Sequence, residues 1–451
     1  MSLYAALGAS AEALQNFERA LTVVQNNVVN ASTPGFAKQR QTFVAKEFYP
    51  EQGLVGGAAL AQRENARNQF AERGVRRQTS LAGRFDEMVT TLAQIETVFD
   101  ATGESGIPAA LSELFDSFSA LSVSPNDPTA RRLVLDRAGQ AVRAFQSTSQ
   151  SLSAAEAEAR KQVPALVDRI NTLAGLIRTF NTRVRQNFEA AADAGLDAQL
   201  HSTLEQISEI VDVQVLHQPD GTVTVLLGGQ TPLVIGEHQY TVQADSSNSA
   251  VRLLDFQGQD VTAQVTGGRL SGAFEVVNTL VPSYRSDLNV LAASLADNVN
   301  ATLGAGLDQY GLPGTPLFSY NLPGDAASTL ALTTITPEQL AAASTTAPGG
   351  NGNALDLANL GRTLTTNGQS FAGFYGKLVA SVGRELATAG ENQDTQRQLV
   401  AQALVLRADL QGVSLDEEAA RLVELQRAYQ AAARMVTVLD ELTAATINML
   451  R

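Results

Sequence analysis

Both ends of this chain carry the same constraint: a long amphipathic helix with one narrow apolar face. Near the N-terminus, Leu3, Leu7, Ser10, Leu14, Phe17, Leu21, Val24 and Val28 fall alternately four and three residues apart. That is the seam of a coiled-coil helix, with one polar slot at Ser10. Glu12, Glu18, Arg19, Gln25 and Asn26 occupy the opposite face. Residues 3–30 make a rod of roughly 40 Å, and Pro34-Gly35 ends it. At the C-terminus, Leu415, Leu422, Leu425, Tyr429, Ala432, Val436, Leu439, Thr443, Thr446 and Leu450 follow a heptad-like seam with one missed position. Ser414 is the expected N-cap, with Glu417 three residues on, and Asp416-Glu417-Glu418 place negative charge at the positive end of the helix. This helix would run about 36 residues, about 54 Å. Each terminal helix can satisfy its narrow face on the other.

The interior changes character along its length. Residues 80–210 read as helix, including Leu166, Ile170, Leu173, Ile177, Phe180 and Val184, broken by the turn Ser124-Pro125-Asn126-Asp127-Pro128. Residues 211–272 read as strands at 211–215, 221–227 and 240–242, with turns at Pro219-Asp220-Gly221 and Gly228-Gly229. Helix returns at 273–303, residues 304–360 are rich in Gly, Pro, Ser, Thr and Asn, and helix resumes over 371–411. The expected fold is mainly α with an inserted β module, its domains nested and discontinuous. Residues 1–50 with 411–451 form a terminal coiled-coil-like domain. Residues 51–210 with 273–303 and 361–410 form a long helical-bundle domain, 211–272 a small β domain, and 304–360 a loop-rich segment whose order the sequence leaves open.

Composition narrows the function classes. The chain has 451 residues, enough for two to four domains, and a net charge of −14. An acidic chain repels nucleic acid and anionic lipid, so neither is expected as a partner. There is no cysteine, which excludes disulfides, thiolate metal sites and a thiol nucleophile. His201, His217 and His238 are the only histidines and none share metal-ligand spacing. No stretch approaches 18 apolar residues, and no cleavable secretory signal is recognisable at the N-terminus. Gly349-Gly350-Asn351-Gly352-Asn353 lacks both a preceding buried strand and a Walker lysine, and reads as a loop. No G-x-S-x-G elbow occurs. His201, with Asp193 and Asp197 upstream, reads as a surface residue. No catalytic, cofactor or metal residues are assigned, and no enzyme activity is expected.

Specific segments carry a resemblance. Asn26-Asn27-Val28-Val29-Asn30-Ala31-Ser32-Thr33-Pro34-Gly35-Phe36 follows the first helix. It is similar to the N-N-I-A-N-x-x-T-P-G-Y segment of the axial proteins of the bacterial flagellum, with Val29 for Ala and Phe36 for Tyr. Gly412-Val413-Ser414-Leu415-Asp416-Glu417-Glu418-Ala419, followed by Gln426, Tyr429 and Gln430, resembles the C-terminal pattern of the hook-associated protein 1 family. So do Pro125 to Arg131, Ile170-Asn171-x-Leu173, Gly267-Gly268-x-Leu270-x-Gly272, Leu291 to Asn300, and Gly306 to Gly311. The family's D-Q-R-D segment is replaced by Leu200-His201-Ser202-Thr203, and its His after Asn300 by Leu303. The chain is also short for the family.

The resemblance implies an extracellular structural subunit, exported without a cleaved signal peptide and assembled as a ring of identical copies at the junction of hook and filament. Its implied partners are the hook protein, a second junction protein and a dedicated export chaperone. Asn26, Asn27, Asn30, Thr33, Pro34, Gly35 and Phe36 are the implied N-terminal assembly motif. Their amides either bond to neighbouring subunits or cap the first helix. Leu415, Leu422, Leu425, Tyr429, Val436 and Leu439 are the implied assembly and chaperone seam. The terminal seams are expected to be disordered in the free monomer and to fold on docking. The alternatives are a hook or rod protein, which the Leu415 to Ala419 segment and the long helical middle disfavour, and a secreted coiled-coil adhesin.

Overall fold

A computed structural model describes residues 3–47, 56–99, 105–187, 190, 192–321 and 325–449. Leu450 of the expected C-terminal seam lies outside the described residues. The first helix, α1 (Leu3–Val29), ends where Asn30 and Thr33 form a turn before Pro34. The chain then makes a two-part antiparallel arm. Gln39–Arg40 pairs with Glu64–Asn65, and Phe43–Ala45 pairs with Ala58–Leu60. This arm lies on α1: Asn16 Nδ2 donates to Ala58 O at 2.9 Å, and the Phe17 and Phe43 rings meet at 5.4 Å. The returning strands therefore belong with α1, and the terminal unit runs past the boundary expected at residue 50.

Several of the helices that follow start where the sequence supplies a side-chain acceptor for their free N–H groups. α2 (Gln69–Glu96) is capped by Asn68, which accepts from Phe70 N and Ala71 N. α3 (Gly106–Val123) leads through the Ser124–Asp127 turn into α4 (Pro128–Gln186). There Asp127 accepts from Thr129 N and Pro128 occupies the first turn, where its missing N–H costs nothing. α5 (Ala194–Ile210) is capped by Asp193. After the strand module come α6 (Gly268–Glu275), one π-helical turn at Val276–Leu280, and α7 (Val281–Gly304). The short α8 (Ala326–Thr329) and α9 (Gly352–Leu360) precede α10 (Phe371–Gln411) and α11 (Leu415–Met449). α10 occupies the whole range expected for it. α11 begins after Ser414, whose Oγ accepts from Glu417 N at 3.4 Å.

α4 is 59 residues long, about 88 Å, and it serves two cores. Its first half (Val134, Phe145, Leu152) packs with α2, α3, α7, α9 and the start of α10. Its second half (Val163, Ile170, Ile177, Val184) packs with α5, α6 and the strands. Pro164, which removes one helical hydrogen bond, lies near the changeover. The single long helical domain expected from periodicity is thus two cores threaded by one helix, and the β module shares its core with half of that helix.

The module contains a four-stranded antiparallel meander: Val213–His217, Val223–Leu227, Thr231–Ile235 and His238–Gln239. A separate pair joins Gln243–Asp245 to Arg252–Leu254. The strand expected at 240–242 is absent. Val242 is buried, but Asn171 of α4 takes its backbone in place of a strand: Val242 N donates to Asn171 Oδ1 at 3.0 Å, and Asn171 Nδ2 donates to Val242 O at 2.8 Å. Asn181 holds Val223 in the same way, at 2.8 Å in each direction.

Residues 304–360 are the loop-rich segment whose order the sequence leaves open. They hold few regular elements, yet Leu317, Phe318, Ala326, Leu330, Leu340 and Leu357 are buried in the first core. Side chains from the helices satisfy the irregular backbone. Asn300 Oδ1 accepts from Leu317 N and Phe318 N at 2.8 and 3.0 Å. The buried Arg131 donates to Pro125 O, Pro337 O and Leu340 O at 2.8, 2.8 and 2.7 Å. Order here comes from distant partners that composition does not reveal.

Candidate functional site

α1 and α11 lie side by side, as their seams require. The apolar contact is small: Ala20, Val24 and Leu425 are fully buried, with Phe17, Leu21 and Leu422 packed around them. Val436 and Leu439 are half-buried, whereas Leu415 is 55% exposed and Tyr429 38% exposed. Those two drop out of the intramolecular seam. Thr443 stays buried as the seam requires, and Glu418, outside the expected seam, is buried as well. Val28 turns outward as well.

The polar motif after α1 is a joint. Asn27 is buried, and its Nδ2 donates to Gln39 O at 2.9 Å and to Glu418 Oε2 at 3.1 Å, while its Oδ1 accepts from Gln39 N at 2.9 Å. One amide thus ties the end of α1 to the arm and to the start of α11. Asn30 turns back on its own helix, donating to Asn26 O and Oδ1 at 2.9 and 2.6 Å. Thr33 Oγ1 donates to Asn30 Oδ1 at 3.2 Å. Within the chain, Asn26 and Asn30 make capping contacts at the end of α1, and Asn27 bonds to the arm and to α11. Pro34 is exposed and Phe36 half-buried. Gly35 adopts φ +75° and seats against α5, where an added Cβ would stand 2.3 Å from Ala198 O. Only glycine fits that approach.

Lys38 reaches Glu417 Oε2 at 2.9 Å and Glu418 Oε1 at 3.0 Å. The acids at the start of α11 therefore do more than balance the helix dipole, since two of the three converge on one ammonium. Burial alone would lower the Lys38 pKa, but the two carboxylates raise it. The same contact holds the Glu417 carboxyl below its usual range.

A second cluster joins the loop to the helical body. Arg67 donates to Gly35 O at 2.7 Å, pairs with Asp197 of α5, and pairs with Glu72 of α2 at 2.5 Å. His201, expected at the surface, is 2% exposed, with Nδ1 3.5 Å from Glu72 Oε2 and Nε2 3.8 Å from Asp197 Oδ1. Position in a polar-looking helix segment does not disclose that α2 covers it. Burial would raise the Glu72 pKa, yet His201, Arg67 and Gln411 together hold it well below the carboxylate range. Arg407 of α10 pairs with Glu205 and lies 3.6 Å from Glu72 Oε2.

Gln411, the last residue of α10, links the two clusters. Its carbonyl accepts from Lys38 N at 2.9 Å, its Oε1 from Asn68 N at 2.7 Å, and its Nε2 donates to Glu72 Oε1 at 2.5 Å. Sequence reasoning passed over Gln411, Arg67 and Glu72. Gln411's contacts lie more than 330 residues away in the chain, so no local pattern marks it. The joint thus gathers the ends of α1 and α10 with the starts of α2, α5 and α11. Among the described residues no group of three or more His, Cys, Asp or Glu side chains could hold a metal, and no helix is long and apolar enough to cross a membrane.

Comparison with known proteins agrees with this architecture. The Bacillus subtilis flagellar hook-associated protein 1 is 27% identical over 499 aligned residues, spanning 99% of this chain and 98% of that protein. The Salmonella typhimurium protein of the same name is 25% identical, spanning 68% of this chain and 58% of its own length. The solved structure of the flagellar hook junction protein FlgK from Burkholderia pseudomallei superposes with a TM-score of 0.67 at 16% identity, covering 76% of this chain and all of that one. Residues 411–449, essentially α11 and its lead-in, match the C-terminal family of flagellar basal body rod FlgEFG proteins. Residues 92–318, from the end of α2 through α7 and the segment it holds, match the helical domain of flagellar hook-associated protein FlgK, and the chain belongs to that family.

Proposed function

We infer that this chain is a structural subunit of the bacterial flagellum, located at the junction between hook and filament. The observation that carries this reading is the family's helical domain joined to a terminal helix pair whose apolar surface is only partly covered. Val423, Met435, Val438, Leu442 and Ile447 of α11 are all exposed, as is Tyr4 of α1. A lone soluble domain gains nothing from such a face, whereas a subunit packed among copies of itself buries it. In this reading the α1–α11 pairs form the inner wall of a ring at the hook tip, with the hook protein below and a second junction protein above. The subunit leaves the cell through the flagellar export channel without loss of a signal peptide, and it works by packing, with no enzymatic step.

Deleting the gene tests the placement, with cells viewed by electron microscopy and flagellin assayed in the medium. Hooks without filaments, with flagellin lost to the medium, are the expected result. Filaments still attached to hooks would overturn the reading, and loss of the hooks would transfer it to the hook or rod class. The open face of α11 would also need cover before export, which is the role of a chaperone bound around Leu422, Leu425, Tyr429 and Val436. The double substitution Leu425→Asp and Val436→Asp is expected to abolish chaperone co-purification and assembly together. Co-purification at the wild-type level would refute that part.

A further inference from the structure

The face of α2 turned toward the strand module carries three arginines that form no ion pair among the described residues. Arg73, Arg76 and Arg77 lie within one turn or so of helix, so their side chains leave the same side. Arg76 is 8% exposed and Ser80, one turn further on, is 5% exposed. Arg76 Nη1 and Ser80 Oγ are both buried without a hydrogen-bond partner. Among the described residues none of the three arginines makes an ion pair. A guanidinium stays charged at any pH a protein tolerates, so burying one without a counter-charge is strongly unfavourable.

Two of the nearby acids are already paired with other cations, and the third is committed to hydrogen bonds. Glu72 and Glu205 are the carboxylates whose charge Arg76 feels most. Glu72 is held by Arg67, His201 and Arg407, and Glu205 by Arg407. Asp212 lines the same space, but its Oδ1 accepts from Thr266 N and Gly267 N at 3.0 and 3.2 Å, and its Oδ2 from Thr266 Oγ1 at 2.9 Å. What remains is an open cleft of about 470 Å³ between α2 and the strand Val213–His217, with the arginines on one wall and Ser80 beside them. Arg73 and Arg77 are exposed at its rim, and like charges four residues apart on a helix repel.

We propose that this cleft is an oxyanion site, in which a compact carboxylate or phosphate group is held by Arg76 and Ser80, with Arg73 and Arg77 at the rim. Arginine's fork of donors suits either group. The inference does not depend on where in the flagellum the chain sits. The occupant is either a free oxyanion or an acidic side chain of a second copy of this acidic chain.

The test uses the full chain and inorganic phosphate, at ionic strength held constant with sodium chloride. Calorimetric titration should show saturable phosphate binding, and the thermal midpoint should rise with phosphate. R73Q/R77Q, which alters exposed positions only, should weaken phosphate binding roughly tenfold or more without lowering the midpoint in chloride. R76Q should remove binding, with circular dichroism reporting whether it still folds. Sedimentation of the concentrated chain separates the two sources. Association that phosphate dissociates, and that R73Q/R77Q lacks, assigns the site to a carboxylate of a second copy. Phosphate binding that leaves association unchanged assigns it to a free oxyanion. If phosphate neither binds nor alters association, the proposal is overturned.

Discussion

The terminal helix pair and the helical body are built from similar amphipathic patterns, yet they are stabilised very differently. The body threads α4 through two extensive cores, each closed by side chains from distant parts of the chain. The α1–α11 pair fully buries only three apolar side chains, one of them an alanine, along helices of 27 and 35 residues. Helices that long carry enough seam for a continuous core, but two narrow faces meeting each other bury less than a bundle would. The body is therefore expected to be stable alone, and the pair to depend on neighbours. The joint at Asn27, Lys38, Arg67, Glu72 and Gln411 connects them.

The largest expected effect tests this difference directly. Amide hydrogen exchange of the free chain should be slowest in α4 and α7, and faster in α1 and α11 by several orders of magnitude. Local opening free energies range from near zero at weakly packed ends up to the global value in the cores. Equal protection in α11 and α4 would break the comparison, and with it the expectation that the seams order only on docking.

Core truncation sharpens it. Phe145 of α4 is wholly buried, and Phe145→Ala should cost about 3–5 kcal/mol in the main denaturant transition. Leu425→Ala should scarcely move that transition, because its surroundings open first. A shift of similar size from both variants would mean that pair and body unfold as one.

The joint should lie between these extremes. Arg67→Ala leaves Glu72 and Asp197 without their shared guanidinium. Removing one partner of a buried ion pair costs about 3–5 kcal/mol where the site stays dry. Partial solvent access through Asp197 should bring the loss toward the lower end of that range. The readout is the main transition together with protease cleavage near Gln411 to Ser414, which should quicken. An unchanged cleavage rate would show that the joint does not hold the pair to the body.

The smallest effect is one of pH. The folded Glu72 carboxyl is held far below its ordinary value of 4.5. Its contribution is therefore complete above about pH 4.5, where the unfolded chain is also ionised, and declines as pH falls below that, because only the unfolded state takes up the proton. Protection of the joint should weaken between about pH 4.5 and 3, and Glu72→Gln should flatten that dependence.

Much of the architecture was legible in local pattern. The terminal seams placed α1 and α11 to within a residue or two, and the turn at Ser124 to Pro128 marked the boundary of α3 and α4. The run from Phe371 marked α10. Periodicity succeeds there because a long helix with one apolar face is a local property of the chain. It failed for the strand expected at 240–242 and left the order of 304–360 open. In both, asparagine and arginine side chains from α4 and α7 occupy backbone groups that composition would leave to solvent. Within the candidate site, Asn27 and Gly35 were visible as members of a motif. Gln411, Arg67 and the burial of His201 were not, since each depends on which helices meet.

The sequence alone determined that this chain has two seamed helices at its ends, a long helical interior and a strand-rich insertion, because hydrophobic spacing and turn residues act over a few residues. It also carried the family resemblance, which short motifs preserve. Tertiary structure alone decided that α4 divides its length between two cores and that Leu415 and Tyr429 leave the intramolecular seam. It also decided that Asn27 and Lys38 tie the arm to α11, and that Arg67 and Gln411 tie these ends to the body. Those outcomes depend on contacts between residues hundreds of positions apart, where burial sets the strength of every polar interaction and no local pattern records it.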